Sequence, residues 1–256
     1  HFLIYEYIES FEFSLYEKAF LYEDTLKNII NMFIAQNIPI RLLAKEALVD
    51  THISYAEINS RLKKHKKNSC FNPDYLLQIK KISKALDFLK DDFLKLEHSS
   101  NHVFSHADAG IHNCIYDKKK SLYLVDLEYA GLDSPVKLHI DYLIHPRNVI
   151  YTDKSFQWTE YFYKYLISKE DLENIHIYNS FFSLKWSLIV LNEFLSENWK
   201  YRINADPSRK FRNDIIKVNQ LRKSEIYLKA FYRTYEKIQP QLLFTESEKI
   251  LLSKSY

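Results

Sequence analysis

The residues whose types and spacing could do chemistry lie in one stretch, 104–146. It opens F-S-H-A-D-A-G-I-H-N and later reads L-V-D-L-E-Y-A-G. It holds His106, Asp108, Asn113 and Asp126, with the asparagine five residues after the first aspartate. This set suits the transfer of a phosphoryl group. An aspartate on a loop accepts or orients the proton of an attacking hydroxyl, while an asparagine and a later aspartate hold Mg²⁺ against the phosphates. Mg²⁺ prefers hard oxygen ligands, keeps several waters and takes only one or two carboxylates from protein. Alone, H-x-D-x-x-x-x-N is a common polar-loop pattern, because asparagine forms turns readily. The strand–loop–strand setting and the V-D-L-E-Y-A-G run lift it above that background. Gly110, one of only two glycines in the chain, sits inside the loop. That position predicts either unusual backbone dihedrals or a close approach.

Short elements must carry this loop. Residues 113–116 and 122–127 predict two strands around D-K-K-K-S, a β ribbon at about 113–127. Val103 and Phe104 form a brief apolar step before the polar loop. Elsewhere the apolar period is helical: 22–47 (broken near Pro39), 51–67, 74–97, 136–145, 155–166, 169–197 (broken near Asn174) and 214–239. Asn72 or Asp74 caps the third of these. Residues 1–8 read as a strand leaving into a linker. With two glycines and six prolines, tight hairpins must be few. No internal repeat or second-domain boundary stands out. The expected fold is mainly α with a small β ribbon at its centre.

Composition excludes several functions. At 256 residues the chain can bury a sizeable core. Net charge is +3, with acids and bases interspersed. The basic runs at 61–67 and 209–212 are short, so they read as solvated helix ends, and no nucleic-acid partner is expected. Cys70 and Cys114 make neither a metal-ligand spacing nor a disulfide framework, which predicts a reducing cytoplasm. No apolar run approaches the ~20 residues that span a bilayer. The first residues carry Glu6, Glu9 and Glu12 and no basic segment, unlike a signal peptide. No membrane partner is expected.

H-A-D-A-G-I-H-N together with L-V-D-L-E-Y-A-G-L-D-S-P resembles the signature of the aminoglycoside phosphotransferase and choline kinase family. P-V-K-L-H-I-D-Y-L-I-H-P, and K-W-S-L-I-V-L-N-E-F-L at 185–195, resemble a bacterial branch of it. The resemblance runs from about Phe2 to the late helices. It implies a protein-kinase-like fold of which this chain is the C-terminal lobe. Residues 1–10 would be a hinge strand or linker remnant, and 11–256 the helical catalytic lobe. Asp108 is then implied as catalytic base and His106 as the residue that orders its loop. Asn113 and Asp126 are implied as metal ligands, and Asp141 as the aspartate that braces the loop. L-I-Y-E-Y-I-E resembles the hinge between lobes, implying that the Tyr5 carbonyl and Tyr7 amide meet adenine. Glu128 occupies the D-x-E position of the choline kinase side. It either holds a cation or substrate group, or is a salt-bridged strand-end carboxylate. The implied cofactors are ATP and Mg²⁺, and the partners a nucleotide and a small-molecule acceptor.

One departure is large. Members of that family carry an N-terminal lobe before the hinge, with a phosphate-covering loop and a lysine paired to a helix glutamate. Nothing here precedes His1, and no Gly-rich loop is present. The expectation is a fragment whose N-terminal lobe is missing, binding ATP–Mg²⁺ weakly and turning over little. The alternative is a catalytically silent kinase-like binding or regulatory module, though such a module would need none of Asp108, Asn113 and Asp126. Trp158, Tyr161, Trp186, Glu193 and Trp199 are candidate acceptor walls. Aromatics beside acids could cage a quaternary ammonium, at about 0.5–2 kcal/mol each. Plain core packing at helical spacing is the competing reading, above all for Trp186. An aminoglycoside would need converging acids such as Asp133, Asp153, Glu160 and Glu193. Choline-like, sugar and aminoglycoside acceptors all remain open.

Overall fold

Several helices begin where the sequence supplies a capping oxygen. Asp50 accepts from the Ile53 amide at 2.9 Å, and Asn72 accepts from Tyr75 at 2.9 Å just ahead of Pro73. Ser134, followed by Pro135, accepts from Val136 at 3.1 Å. Each satisfies an amide that the first turn leaves unpaired. The computed structural model describes residues 15–35, 43–68, 72–97, 101–108, 110–117, 119, 121–150, 156–236 and 243–254. The hinge expected at 1–10, with Tyr5 and Tyr7, lies outside the described residues.

In chain order the elements begin with helices α1 (Leu15–Ala35), α2 (Thr51–Lys66) and α3 (Pro73–Leu94). Four three-residue strands follow: β1 (Val103–Ser105), β2 (Cys114–Tyr116), β3 (Leu122–Leu124) and β4 (Gly131–Asp133). Next come α4 (Pro135–Ile144), α5 (Phe156–Tyr165), α6 (Lys169–Glu173) and α7 (Ile175–Ile189). The last are α8 (Ser196–Ala205), α9 (Asn213–Tyr235) and α10 (Glu246–Ser253). The chain is thus mainly helical with small two-stranded sheets. No helix among the described residues is long and apolar enough to cross a membrane.

The chain divides into two compact units. The first joins the described residues of His1–Ala47 to those of Asn101–Leu166. In it β2 and β3 pair antiparallel, Cys114 opposite Leu124. Their hairpin closes without glycine: Asp117 Oδ1 accepts from the amides of Lys119 and Ser121, each at 2.8 Å, as a side-chain mimic of a backbone turn. β1 and β4 also pair antiparallel, Val103 opposite Asp133, and Leu43 bridges Leu132 from the other side. Phe33 of α1 stacks on Phe104 of β1 at 5.1 Å. α4 is buried nearly all round, which accounts for its apolar composition. Behind it Trp158 is packed between Tyr142 and Phe162, at 4.6 and 4.5 Å.

His139 of α4 is fully buried against Phe162 and Tyr163, with neither ring nitrogen hydrogen-bonded. Burial lowers its pKa to about 3, so the folded chain holds it neutral. The unfolded chain protonates it near 6.5, so stability falls as pH drops below about 6.5 and continues to fall until about 3. His139→Phe removes that loss. At pH 5 the variant should gain about 2 kcal/mol relative to wild type, compared with their difference at pH 8, in urea unfolding. An equal difference at both pH values would show that His139 does not titrate with folding.

The second unit joins the described residues of Leu48–Ser100 and Ile167–Tyr256. α7 and α9 approach closely through small polar side chains: Ser187 and Ser224 hydroxyls lie 2.8 Å apart, and Gln78 of α3 donates to Ser224 at 3.0 Å. Phe93 stacks on Phe181 at 3.8 Å. The basic run at 61–67 covers the end of α2, whose last turn holds Lys63, Lys64, His65 and Lys66, so positive charge meets the negative end of the helix dipole. The helical stretch expected over 169–197 with a break near Asn174 is divided there, and again at Val190, where a 3₁₀ stretch runs to Phe194.

Candidate active site

The loop after β1 turns sharply. Ala107 adopts a left-handed φ of 67°, which sends the chain away from the strand before Asp108. The loop then folds on itself, because the Asp108 carbonyl accepts both the Gly110 amide at 2.8 Å and the Asn113 side-chain amide at 3.2 Å. The side chain of Asn148, beyond α4, accepts from the Ile111 amide at 3.0 Å and donates to the Tyr142 carbonyl at 3.0 Å. One buried asparagine therefore staples the loop to the end of α4.

The ribbon brings the later aspartate back. β3 stops at Leu124, sooner than the sequence suggested, but the Val125 amide still donates to the Asn113 carbonyl at 3.0 Å. Asp126 follows with φ 60° and heads a 3₁₀ turn, Leu127–Tyr129, its carboxylate making no capping bond there. His106, fully buried, donates from Nε2 to the Val125 carbonyl at 2.7 Å. Its Nδ1 faces the Tyr22 hydroxyl at 3.5 Å. Burial lowers the His106 pKa against the opposing pull of that carbonyl, Asp108 and Asp126, so the ring is a neutral brace. Asp108, Asn113 and Asp126 thus belong to one loop cluster, tied through main-chain bonds and His106.

The Asp108 carboxylate has company that the sequence did not announce. His145, the residue after α4, places Nε2 at 3.1 Å from Oδ1, and His112 places Nε2 at 3.9 Å from Oδ2. The two imidazoles stack at 5.3 Å. Burial would raise the Asp108 pKa, but the hydrogen bond and field of His145, then His112 and the Asn113 amide, outweigh it and hold the carboxyl well below the usual range. Ligand atoms of Asp108, His112 and His145 lie within 4.8 Å of one another. Two imidazoles make a donor set for a softer transition metal, whereas the amide oxygen of Asn113 and the carboxylate of Asp126 fit Mg²⁺.

Gly110 is needed for space rather than dihedral freedom, since its φ is not positive. A Cβ there would meet the His112 ring at 2.3 Å and His145 Cε1 at 2.7 Å. His112 is exposed and can swing aside, but His145 is buried. Gly110→Ala should therefore displace His145 and lower stability by roughly 1–3 kcal/mol. Urea unfolding checks this; unchanged stability would show that the His145 ring yields without cost.

The remaining expected residues sit as follows. Asp141 of α4 pairs at 2.8 Å with buried Lys137, which also pairs at 2.8 Å with Asp133. The Asp141 carbonyl accepts the His145 amide at 3.0 Å. Glu128 is exposed in the 3₁₀ turn. Trp186 belongs to the second unit, half-buried, with its ring 6.0 Å from that of Tyr227. Trp158 is core, not wall. Tyr161 donates to Asn31 at 2.7 Å. Glu193 is buried between Arg202 and Arg209, at 3.1 and 2.8 Å, and Arg209 and Lys217 already lie over the Trp199 ring. That cluster is cation-rich, Asp133 is neutralised by Lys137, and Asp153 lies outside the described residues.

No family model matches the chain, and no curated protein matches its sequence significantly. Among solved structures, the choline kinase LicA of Streptococcus pneumoniae is similar at 18% identity and a TM-score of 0.47, covering 88% of this chain and 69% of its own. A choline/ethanolamine kinase family protein of Mesorhizobium loti is similar at 17% identity and a TM-score of 0.41, covering 78% and 58%.

Proposed function

We propose that this chain carries the catalytic loop of an ATP- and Mg²⁺-dependent phosphotransferase acting on a hydroxyl of a small molecule. It would be the C-terminal, helical part of an enzyme of the aminoglycoside phosphotransferase and choline kinase type, working in the cytoplasm. One observation supports the reading: in the loop after β1 the Asn113 side chain donates to the Asp108 carbonyl, and the amide of Val125, the residue before Asp126, donates to the Asn113 carbonyl. Asp108 takes or orients the proton of the acceptor hydroxyl. Asn113 and Asp126 would hold the ion, which when bound neutralises charge on the phosphates. His106 fixes the strand end that delivers Asp126, and Asp141 and Lys137 anchor the helix below. Choline-like, sugar and aminoglycoside acceptors are the candidates.

The test is Mg²⁺-nucleotide stabilisation of the full-length protein. At 100 times the dissociation constant, ATP with Mg²⁺ should add about 2.7 kcal/mol. Asp126→Ala should lose the Mg²⁺-dependent part while folding normally. Equal stabilisation of variant and wild type would remove Asp126 from metal binding and favour a catalytically silent module.

A further inference from the structure

His145 is held from both sides. The backbone amide of Arg147 lies 3.1 Å from Nδ1, and a backbone N–H can only donate, so Nδ1 must accept. In the neutral ring the proton then resides on Nε2, the atom 3.1 Å from Asp108 Oδ1. This settles the choice between two uses of the Asp108–His112–His145 trio. A metal-bound imidazole uses its lone pair on the ligating nitrogen and gives the other N–H to an acceptor. Here the other nitrogen is itself the acceptor, so Nε2 has no lone pair to offer. Pro146, which follows His145 directly, ends the helix and leads the chain to the Arg147 amide that fixes this tautomer.

We infer that His145 is a positioning residue for Asp108, donating Nε2–H to Oδ1 and leaving Oδ2 to receive the acceptor proton. The catalytic half of this inference rests on the phosphotransferase reading. In that reaction the acceptor O–H bond breaks, its proton passes to Oδ2, and the freed oxygen bonds to the γ-phosphorus as ADP leaves. Gly110 belongs to the same device, since a side chain there would enter the space of the His145 ring at 2.7 Å. His145 therefore orders a carboxylate instead of gripping an ion.

Two measurements test it on the full-length protein. Nitrogen-15 NMR of histidine-labelled protein should find His145 with a protonated Nε2 and a bare Nδ1, unchanged by added Zn²⁺. An Nδ1–H tautomer, or loss of the Nε2–H signal on adding Zn²⁺, would overturn the inference. In kinetics, His145→Leu should lower kcat on the order of 10²-fold with little change in the KM for ATP. His145→Gln, which keeps an N–H donor at similar reach, should recover most of it. Equal losses in both variants would reduce His145 to a structural role. Asp108→Ala separates the two levels. Full activity in that variant takes Asp108 out of the chemistry, absence of any ADP release from the wild-type protein removes the phosphotransferase reading, and lost activity in Asp108→Ala beside an unaffected His145→Leu removes only the positioning role.

Discussion

Asp108→Ala should lower the kcat of the full-length protein by roughly 10²–10⁴, the range a positioned proton acceptor contributes. The prediction follows from where the carboxylate is held. Hydrogen bonding to His145 and Asn113 keeps it anionic against the desolvation of a partly buried site, so it is charged at any working pH. It is also fixed in direction, because the loop that carries it is closed on its own carbonyl. Asp108→Asn keeps the shape and removes the charge, and should lose as much. The KM for ATP should change little in both, since the proposed ion-holding oxygens are those of Asn113 and Asp126. A coupled assay of ADP release checks this; full kcat in either variant would take Asp108 out of the chemistry.

Lys137→Met should destabilise the fold by roughly 3–5 kcal/mol, the cost of leaving buried charge without its partner. Lys137 is 2% exposed, with Asp133 at 0% and Asp141 at 8%. Burial alone would lower the lysine pKa, but the two carboxylates outweigh it and raise it. Removing the ammonium leaves two buried carboxylates facing each other. Neutralising them as well, with Asp133→Asn and Asp141→Asn, should recover much of the loss. Urea unfolding of the single and triple variants measures both. A single-variant loss below about 1 kcal/mol, as for an exposed pair, would show that water reaches this trio.

Asp108 and Lys137 lie among elements that are not equally legible in the sequence. Long helices such as α3 and α9 announce themselves, because apolar residues repeat over several turns and caps mark their starts. The ribbon was readable for a similar reason: Asp117 supplies its turn chemistry locally. β1 and β4 were not read as strands. Three residues carry no period, and Val103 finds its partner only at Asp133, across the whole ribbon. α8 and α10 were also missed, although Thr245 and Glu248 form a capping box that a scan for T-x-x-E would have found.

In the site, Asp108, Asn113 and Asp126 stood out because their spacing is local and their chemistry specific. The residues that hold them did not. Asn148 acts on a loop 37 positions away, and Tyr22 meets His106 across 84. His145 looked like the end of an apolar helix, and only the folded path past Pro146 aims its ring at Asp108. The available signal was its place in H-P-R-N directly after a buried helix, where a polar side chain needs a partner. The expected walls for an acceptor fared differently. Periodicity could not tell Trp158, a core residue, from a pocket residue, because both lie on the inward face of a helix.

Mn²⁺ in place of Mg²⁺ tests the central claim most directly, since a paramagnetic ion broadens the NMR signals of the groups around it. With the full-length protein and ATP, Mn²⁺ should broaden the side-chain amide of Asn113 and the main-chain amides at Asp126 and Leu127, and Asp126→Ala should abolish the effect. Broadening that spares these groups, or that persists undiminished in Asp126→Ala, would contradict a divalent ion held by the oxygens of this loop.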